Sequence, residues 1–412
     1  MIQIVDKKLC CGCAACVQRC PKQCITLYED YEGFLYPQVD LEICIDCGIC
    51  EKVCPISKEC NPHLPIKVYA AMHKDENVRL KSSSGGIFTL LAEKIINEGG
   101  VVFGARFDDT WQVCLDYAET SESISAFRGS KYVQARTENT YIQAEKFLKS
   151  GRKVLFTGSP CQIAGLKKYL SKEYDNLLAV DFVCHGVPSP KIWNRYLQEI
   201  LTYKGQKNAI TFSSNLSSFL EGYAPITEIN FRNKALGWKK FSLVLRQEFI
   251  EEADDDKKKT FTFSNVHNEN TYMRLFLSDV ILRPSCYECH CKEGKSGADL
   301  TIADFWGIGN ISPEMDDDRG TSLVLIQSER GKDVFLSLDM IKKEQTYEEA
   351  SRTNQGLKSI CKPHPKRDLF WKKIESCKGL DELCNLVLKK TFWMRVSRKI
   401  KNTIRPLIKN KK

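Results

Sequence analysis

The chain has no apolar run long enough to span a bilayer, and its first residues, MIQIVDKKLC, lack the apolar core of a secretory signal. No low-complexity segment interrupts it. No G-x-G-x-x-G follows a predicted strand, so a Rossmann-type dinucleotide site is not expected. A basic stripe is also missing. The net charge of +9 comes from residues 389–412, which hold ten Lys or Arg and no acid; without those ten, the 61 basic residues fall to 51 against 52 acidic ones. A near-neutral body sets nucleic-acid binding aside.

Cysteine is what the chain has in excess, with twenty among 412 residues. In LCCGCAACVQRCPKQCITL, residues 9–27, six cysteines occupy nineteen positions. Cys10, Cys13, Cys16 and Cys20 follow the C-x2-C-x2-C-x3-C-P pattern of bacterial two-cluster ferredoxins, leaving Cys11 and Cys24 outside the frame. The pattern recurs in CIDCGICEKVCP at Cys44, Cys47, Cys50 and Cys54. Three thiolates on one tight loop face three corners of a cubane, and the fourth cysteine of each run serves the other cluster. One 4Fe-4S cluster is therefore assigned to Cys10, Cys13, Cys16 and Cys54, and a second to Cys20, Cys44, Cys47 and Cys50. Two zinc knuckles are the competing reading, disfavoured because both runs end in Pro and neither has a histidine nearby. Thiolate clusters without an export signal argue for a cytoplasmic protein.

Residues 1–60 are thus read as a two-cluster ferredoxin module, α+β in class. Beyond a Pro-bearing linker, strand and helix signals alternate: KVYAAM, a helix in GGIFTLLAEKIINEGG, then VVFGARF, KVLFTG and NLLAVDFVC as strands. SPCQIAGLKKYL starts a helix with Ser159 as N-cap and Pro160 at its first position. This alternation predicts a larger α/β domain with a largely parallel sheet over residues 66–345. An inserted β-hairpin region is expected near 210–266, with IEEADDDKKK as its solvated loop. A helical extension follows at 346–388.

Four dispersed segments carry further chemistry. Cys161 lies at a strand-to-helix turn, where amides and the helix dipole favour a thiolate. Cys184 ends the next strand, and RPSCYECHCKEG adds Cys286, Cys289 and Cys291. Together they make a plausible third cluster site; a structural zinc on Cys286, Cys289, His290 and Cys291 is the alternative. KSSSGGIF forms a turn suited to a phosphate, although such a turn is more often a plain helix cap. His185 is the nearest candidate proton donor, with a neutral structural role as the expectation. Cys114, Cys361, Cys377 and Cys384 read as small core hydrophobes.

SSSGGIF, FRGSKYVQA, TGSPCQIAGL, VCHGVPSP, RPSCYECHC and LTIADFWGI, in this order, resemble the landmarks of the beta subunits of coenzyme F(420) hydrogenases and dehydrogenases. The likeness covers roughly residues 66–370. One departure is mild: GSPC stands where the family usually has GTPC. The resemblance implies FAD and a 4Fe-4S cluster in the α/β domain, the cluster held by Cys161, Cys184, Cys286 and Cys289 with Cys291 as a contender. It implies Ser84, Gly85, Gly86, Lys131 and Gly158 near the flavin. Electrons would pass between a ferredoxin or deazaflavin carrier and an organic substrate, because a flavin converts one-electron into two-electron chemistry. The alternative is an electron-transfer subunit serving a partner enzyme.

The tail at 389–412 places Trp393, Val396, Ile400, Ile404, Leu407 and Ile408 on one helical stripe, with Arg and Lys on the remaining face. It reads as a binder of an acidic partner or of the inner face of a membrane, against a stripe that packs on the protein itself.

Overall fold

The computed structural model describes residues 1–57, 61–205, 225–251 and 254–389, so the tail from residue 390 and part of the linker lie outside the described residues. The first segment contains α1 (Ala15–Arg19), β1 (Ile25–Glu29), β2 (Leu35–Val39) and α2 (Ile49–Lys52). β1 and β2 pair antiparallel from Ile25↔Val39 to Glu29↔Leu35. The two cysteine runs fold alike. Gly12 and Asp46, just before the second cysteine of each run, have φ of 73° and 48°. Ala14 and Gly48, just after it, have φ of 58° and 68°. Left-handed backbone on both sides of one residue curls each loop so that its three thiols converge, at a steric cost for Ala14 and Asp46.

The body begins with β3 (Lys67–Met72), α3 (Glu76–Lys81), α4 (Ile87–Asn97), β4 (Val101–Phe107) and β5 (Val113–Ala118). It continues with α5 (Thr140–Lys149), β6 (Val154–Thr157), α6 (Pro160–Leu170), β7 (Leu177–Phe182) and α7 (Pro190–Gly205). β8 (Ile226–Asn233), β9 (Ser242–Glu251) and β10 (Asp254–Val266) form a separate antiparallel sheet. These strands run well into the segment expected to be a loop; residues 252–253 lie outside the described residues. α8 (Thr271–Leu277), β11 (Leu300–Asp304), β12 (Ser322–Ile326), α9 (Glu329–Leu336) and β13 (Ile341–Gln345) follow. The chain then closes with α10 (Tyr347–Thr353), α11 (Arg367–Lys373) and α12 (Leu380–Leu388).

The main sheet has the order β13-β3-β12-β11-β7-β6-β4-β5. Only β11–β7, β7–β6 and β6–β4 pair in parallel, so the sheet is mixed rather than largely parallel. For the β4–β5 pair the reason is connection length: its short link makes a hairpin, and a parallel crossover needs a dozen residues or more. The central strands bury both faces. Phe103, Val154, Phe156, Leu177 and Ala179 face α5 and α6, while Val102, Leu155, Leu178 and Val180 face α4 and α9. Two covered faces explain the continuous apolar runs in these strands.

The ferredoxin module is packed on the body. Cys11, Cys13, Ala15 and Val53 belong to the same buried core as Tyr141, Ile163 and Leu166 of α5 and α6. Tyr141 N–H donates to Gln18 Oε1 at 2.9 Å, and Tyr31 O–H to the Trp371 carbonyl at 2.7 Å. A partly buried ion pair joins Arg367 to Glu32. Among the described residues, no helix is long and apolar enough to cross a membrane.

Candidate iron–sulfur sites

α1 and α2 each carry the fourth cysteine of a run away from its own loop. Cys10, Cys13, Cys16 and Cys54 therefore line one cavity, with Ile2, Ile4 and Leu27 around them. Cys20, Cys44, Cys47 and Cys50 line a second, beside Ile25 and Val39. Burial and the neighbouring Cys10 and Cys54 push the Cys16 thiol up to about 12. The inner set thus needs a cation to become thiolates, and iron supplies one. N–H groups of Ile2 and Asp46 point at the sulfurs of Cys50 and Cys44 at 3.3 and 3.4 Å, the kind of contact that tunes cluster potential. Cys24, outside the frame, stands 3.4 Å from Cys20 as a fifth thiol in the outer cavity.

The body gathers its own thiols at the carboxyl ends of the parallel strands. Cys161 opens α6 after β6. Ser159 caps that helix through a reciprocal bond with Gln162, and its hydroxyl lies 3.3 Å from Cys161 Sγ. Cys184 follows β7. Cys286 sits in the turn Pro284–Glu288, with Cys289 closing it. The Arg283 N–H to Val187 carbonyl bond of 2.9 Å, and the Val187 N–H to Cys286 Sγ contact of 3.3 Å, seat this turn against the loop after β7. Burial drives the Cys184 thiol well up, as do the nearby Cys286, Cys161 and Cys289; burial also raises Cys286 to about 12. The four form one half-buried group that fits a metal cluster by the same chemistry. Zinc fits less well: tetrahedral thiolates sit roughly 4 Å apart, whereas among the described residues no three of Cys286, Cys289, His290 and Cys291 bring ligand atoms within 4.8 Å of one another.

Cys11 is the residue that spacing alone passed over. Its buried thiol is within hydrogen-bonding reach of both Cys13 and Cys161, so it bridges the inner ferredoxin set and the body set. Cys291 is buried near it. Gly165 permits the approach: a Cβ there would lie 2.9 Å from the Cβ and Sγ of Cys13 and from the Tyr141 hydroxyl. A glycine inside an amphipathic helix was the available signal.

The surroundings of His185 favour the charged ring over the neutral one expected. Burial opposes its charge, but Asp279, 2.7 Å from Nε2, and the Cys361 thiol lift it to about 9. Cys361, expected as apolar filler, donates its S–H to the His185 carbonyl at 2.7 Å and lies 3.7 Å from Nδ1. Asp279 and Cys361 thus lie against different ring nitrogens, and one ligand atom from each of the three residues falls within 4.8 Å of the others.

The residues expected near a flavin are only partly brought together. The Ser82–Gly86 turn meets the loop before Lys131 through the Ser83 and Ser130 hydroxyls, 2.8 Å apart. Gly158 sits apart, under Gln162. Ser84 Oγ donates to the Thr321 carbonyl at 2.8 Å, and Gly85 N–H donates to Ser322 Oγ at 3.0 Å. A Cβ on Gly85 would come 2.4 Å from the Ala71 carbonyl oxygen, so this glycine serves packing. The Ser84 hydroxyl and the Gly85 amide are therefore not free to receive a phosphate. What surrounds the turn is cationic: Lys234 Nζ is 2.8 Å from the Ser84 carbonyl, and Arg232 is 3.2 Å from that of Ser83. Burial lowers both Lys131 and Lys234 to about 7.

Comparison with known proteins decides the family. The model for the C terminus of the coenzyme F420 hydrogenase/dehydrogenase beta subunit matches residues 151–352, and the model for its N-terminal part matches 68–140. The chain belongs to this beta-subunit family. A 4Fe-4S dicluster domain matches residues 9–57. An F(420)H(2) dehydrogenase subunit of Methanosarcina mazei is 22% identical over 173 residues, 39% of this chain and 48% of that protein. Coenzyme F420-dependent sulfite reductase of Methanocaldococcus jannaschii is 25% identical over 174 residues, 40% of this chain and 26% of that one. A 7Fe ferredoxin of Hydrogenibacillus schlegelii is 48% identical over 44 residues, 11% of this chain and 50% of its own length. The chain spans about half the length, or less, of these curated relatives. A chain of the F420-reducing [NiFe] hydrogenase complex from Methanosarcina barkeri aligns over 78% of this chain and 92% of its own, at 18% identity and a TM-score of 0.41.

Proposed function

We propose that the chain is an iron–sulfur electron-transfer protein that exchanges electrons with a carrier at its surface and delivers them to, or draws them from, a partner enzyme. The observation that carries this reading is the continuous line of thiol groups. It runs from exposed Cys47 through the outer and inner ferredoxin sets, then by way of Cys13 and Cys11 to Cys161 in the body. Bound 4Fe-4S clusters would supply one-electron chemistry along this line. The chain's own residues set its geometry: Ala14 and Gly48 curl the ligand loops, and Gly165 lets the inner loop reach α6. The carriers that suit it are a ferredoxin or the deazaflavin coenzyme F420, the latter because relatives carry that name.

A second reading makes the chain an oxidoreductase with FAD and its own organic substrate. Buried Lys234 and half-buried Lys131 near the Ser82–Gly86 turn favour an anionic ligand there, whereas Arg232 is already paired with Asp304. The turn's engaged hydroxyls and amide weigh against the simple phosphate cradle, and no step is derived through FAD. Anaerobically prepared protein should carry about twelve irons, four for each of three cubanes, and Cys161→Ala should remove four. Eight irons in the fully reconstituted parent would defeat the body site. Flavin extracted in stoichiometric amount from the same preparation would favour the second reading.

A further inference from the structure

Arg283 is fully buried, with 0% of its surface exposed. Among the described residues no carboxylate lies within salt-bridge reach of it. Each of its three nitrogens nonetheless has a partner, two in the ferredoxin module and one at Gln134 of the body. Nε donates to the Cys10 carbonyl at 2.8 Å, one terminal nitrogen to Gln134 Oε1 at 3.0 Å, and the other to the Leu35 carbonyl at 2.9 Å. That last nitrogen also lies 3.6 Å from Cys10 Sγ. The guanidinium stacks against the faces of Tyr36 and Phe34, with centroids at 4.3 and 5.4 Å.

These bonds satisfy its donors but not its charge. A buried ion without a counter-ion is among the costliest features a fold can carry. The negative charge has to come from somewhere nearby, and the groups around the guanidinium that can become anions are thiols and a phenol: Cys10, Tyr36, Cys11 and Cys286. Four thiolates around an iron–sulfur core carry a net negative charge, which grows on reduction. A fixed cation a few ångströms away therefore favours the reduced state. The outer set differs: among the described residues, no Arg or Lys nitrogen lies within hydrogen-bond distance of the sulfur of Cys20, Cys44, Cys47 or Cys50, and the Met1 amino group that lines its cavity is already paired with Asp46 and Glu51.

We propose that Arg283 is the counter-charge of the inner iron–sulfur site, raising that site's reduction potential and pinning the ferredoxin module to the body. Because Arg283 stands three residues before Cys286, the loop that supplies body ligands also supplies the cation for the inner site. This inference rests on the ligand assignment of Cys10, Cys13, Cys16 and Cys54.

The test is an anaerobic redox titration of the full chain and of Arg283→Gln and Arg283→Lys, followed by electron paramagnetic resonance. Iron and sulfide are assayed first, and the inner signal is the one lost in Cys16→Ala. Absence of that iron from the parent chain would defeat the ligand assignment itself. With iron retained, Arg283→Gln should lower the reduced-to-oxidised ratio of the inner signal at least tenfold at a fixed potential. That is about 59 mV for a one-electron couple. The outer signal should stay in place, and Arg283→Lys should restore most of the ratio. Loss of inner iron in Arg283→Gln but not in Arg283→Lys would likewise support the role of charge. An unchanged inner potential in an iron-replete Arg283→Gln protein overturns the proposal. So does loss of inner iron in both variants, which would leave Arg283 a matter of shape.

Discussion

The two ferredoxin sites share a spacing, a loop conformation and a helix exchange, yet their surroundings are opposite. The inner set is covered by α6, by Tyr36 and by a buried guanidinium. The outer set keeps Cys47 exposed, and its rim carries Leu41, Ile43 and Ile45 at 67%, 50% and 59% exposure. Equal ligand spacing therefore does not make equal redox centres. What differs is what the second layer of the protein puts around each one, and that layer comes from the body for one site and from solvent for the other.

The largest effect expected from breaking this contrast is loss of a whole cluster. Cys16→Ala and Cys47→Ala should each lose about four irons. The difference lies in rescue. A small thiol added during anaerobic reconstitution should fill the open corner at position 47 and restore the iron, because that position is reached by solvent. At buried position 16 it should restore none. Iron per chain and visible absorbance read both outcomes, and equal rescue would erase the distinction between inner and outer sites.

A smaller effect is expected at two glycines. In Gly165→Ala the new methyl meets Cys13 and Tyr141 at 2.9 Å. Alanine gains up to about 1 kcal/mol of helix propensity, but overpacking costs about 1–3 kcal/mol. A net loss of stability is expected, together with faster removal of inner iron by a chelator. In Gly48→Ala nothing lies within 4 Å of the new methyl, and only the left-handed φ of 68° opposes it. A loss of about 1 kcal/mol with unchanged chelator kinetics at the inner site is the expected result. Chelator rates that respond alike to the two substitutions would show that the module's seat on α6 does not control the inner site.

The legibility of the molecule follows the same line. Both ferredoxin sets could be read from spacing because each loop supplies three ligands in seven residues, and the Ser159 cap could be read because its partner Gln162 is three residues away. The alternation of strands and helices was legible too, but not the antiparallel pairs, of which only β4–β5 follows from a short connection. The body cysteines lie up to 128 residues apart, from Cys161 to Cys289; strand-end positions and the CxxC pair suggest a shared site, and the family resemblance narrows it to four named ligands. Arg283, Cys11 and Gly165 were not legible, because their roles exist only where the module meets the body. The turn at Ser82–Gly86 had the composition of an anion site, but its Gly85 amide and Ser84 hydroxyl are taken up by the loop leading into β12 and by its first residue.

A pH scan sharpens the contrast between module and body with the smallest change to the chain. In the module, buried Asp30 is paired with Lys7 at 2.5 Å. In the body, Asp181 at the end of β7 is buried, and among the described residues no cation pairs with it. Ser296 donates to one oxygen at 2.6 Å, while the other has no hydrogen-bond partner. Burial, against the pull of Ser296, raises this carboxyl from 3.8 to about 6. The folded chain thus holds the proton more tightly than the unfolded one. The stability tied to that proton is fully present below about pH 4 and is lost as the pH rises through 6. At neutral pH the ionised form costs up to roughly 3 kcal/mol. Asp181→Asn keeps the shape without the charge, so it should raise the melting temperature at pH 7.5 by a few degrees and leave it nearly unchanged at pH 4. The inner and outer irons should bind as in the parent at both values. A parent and variant that melt together across the whole range would show that Asp181 is better solvated than its burial indicates.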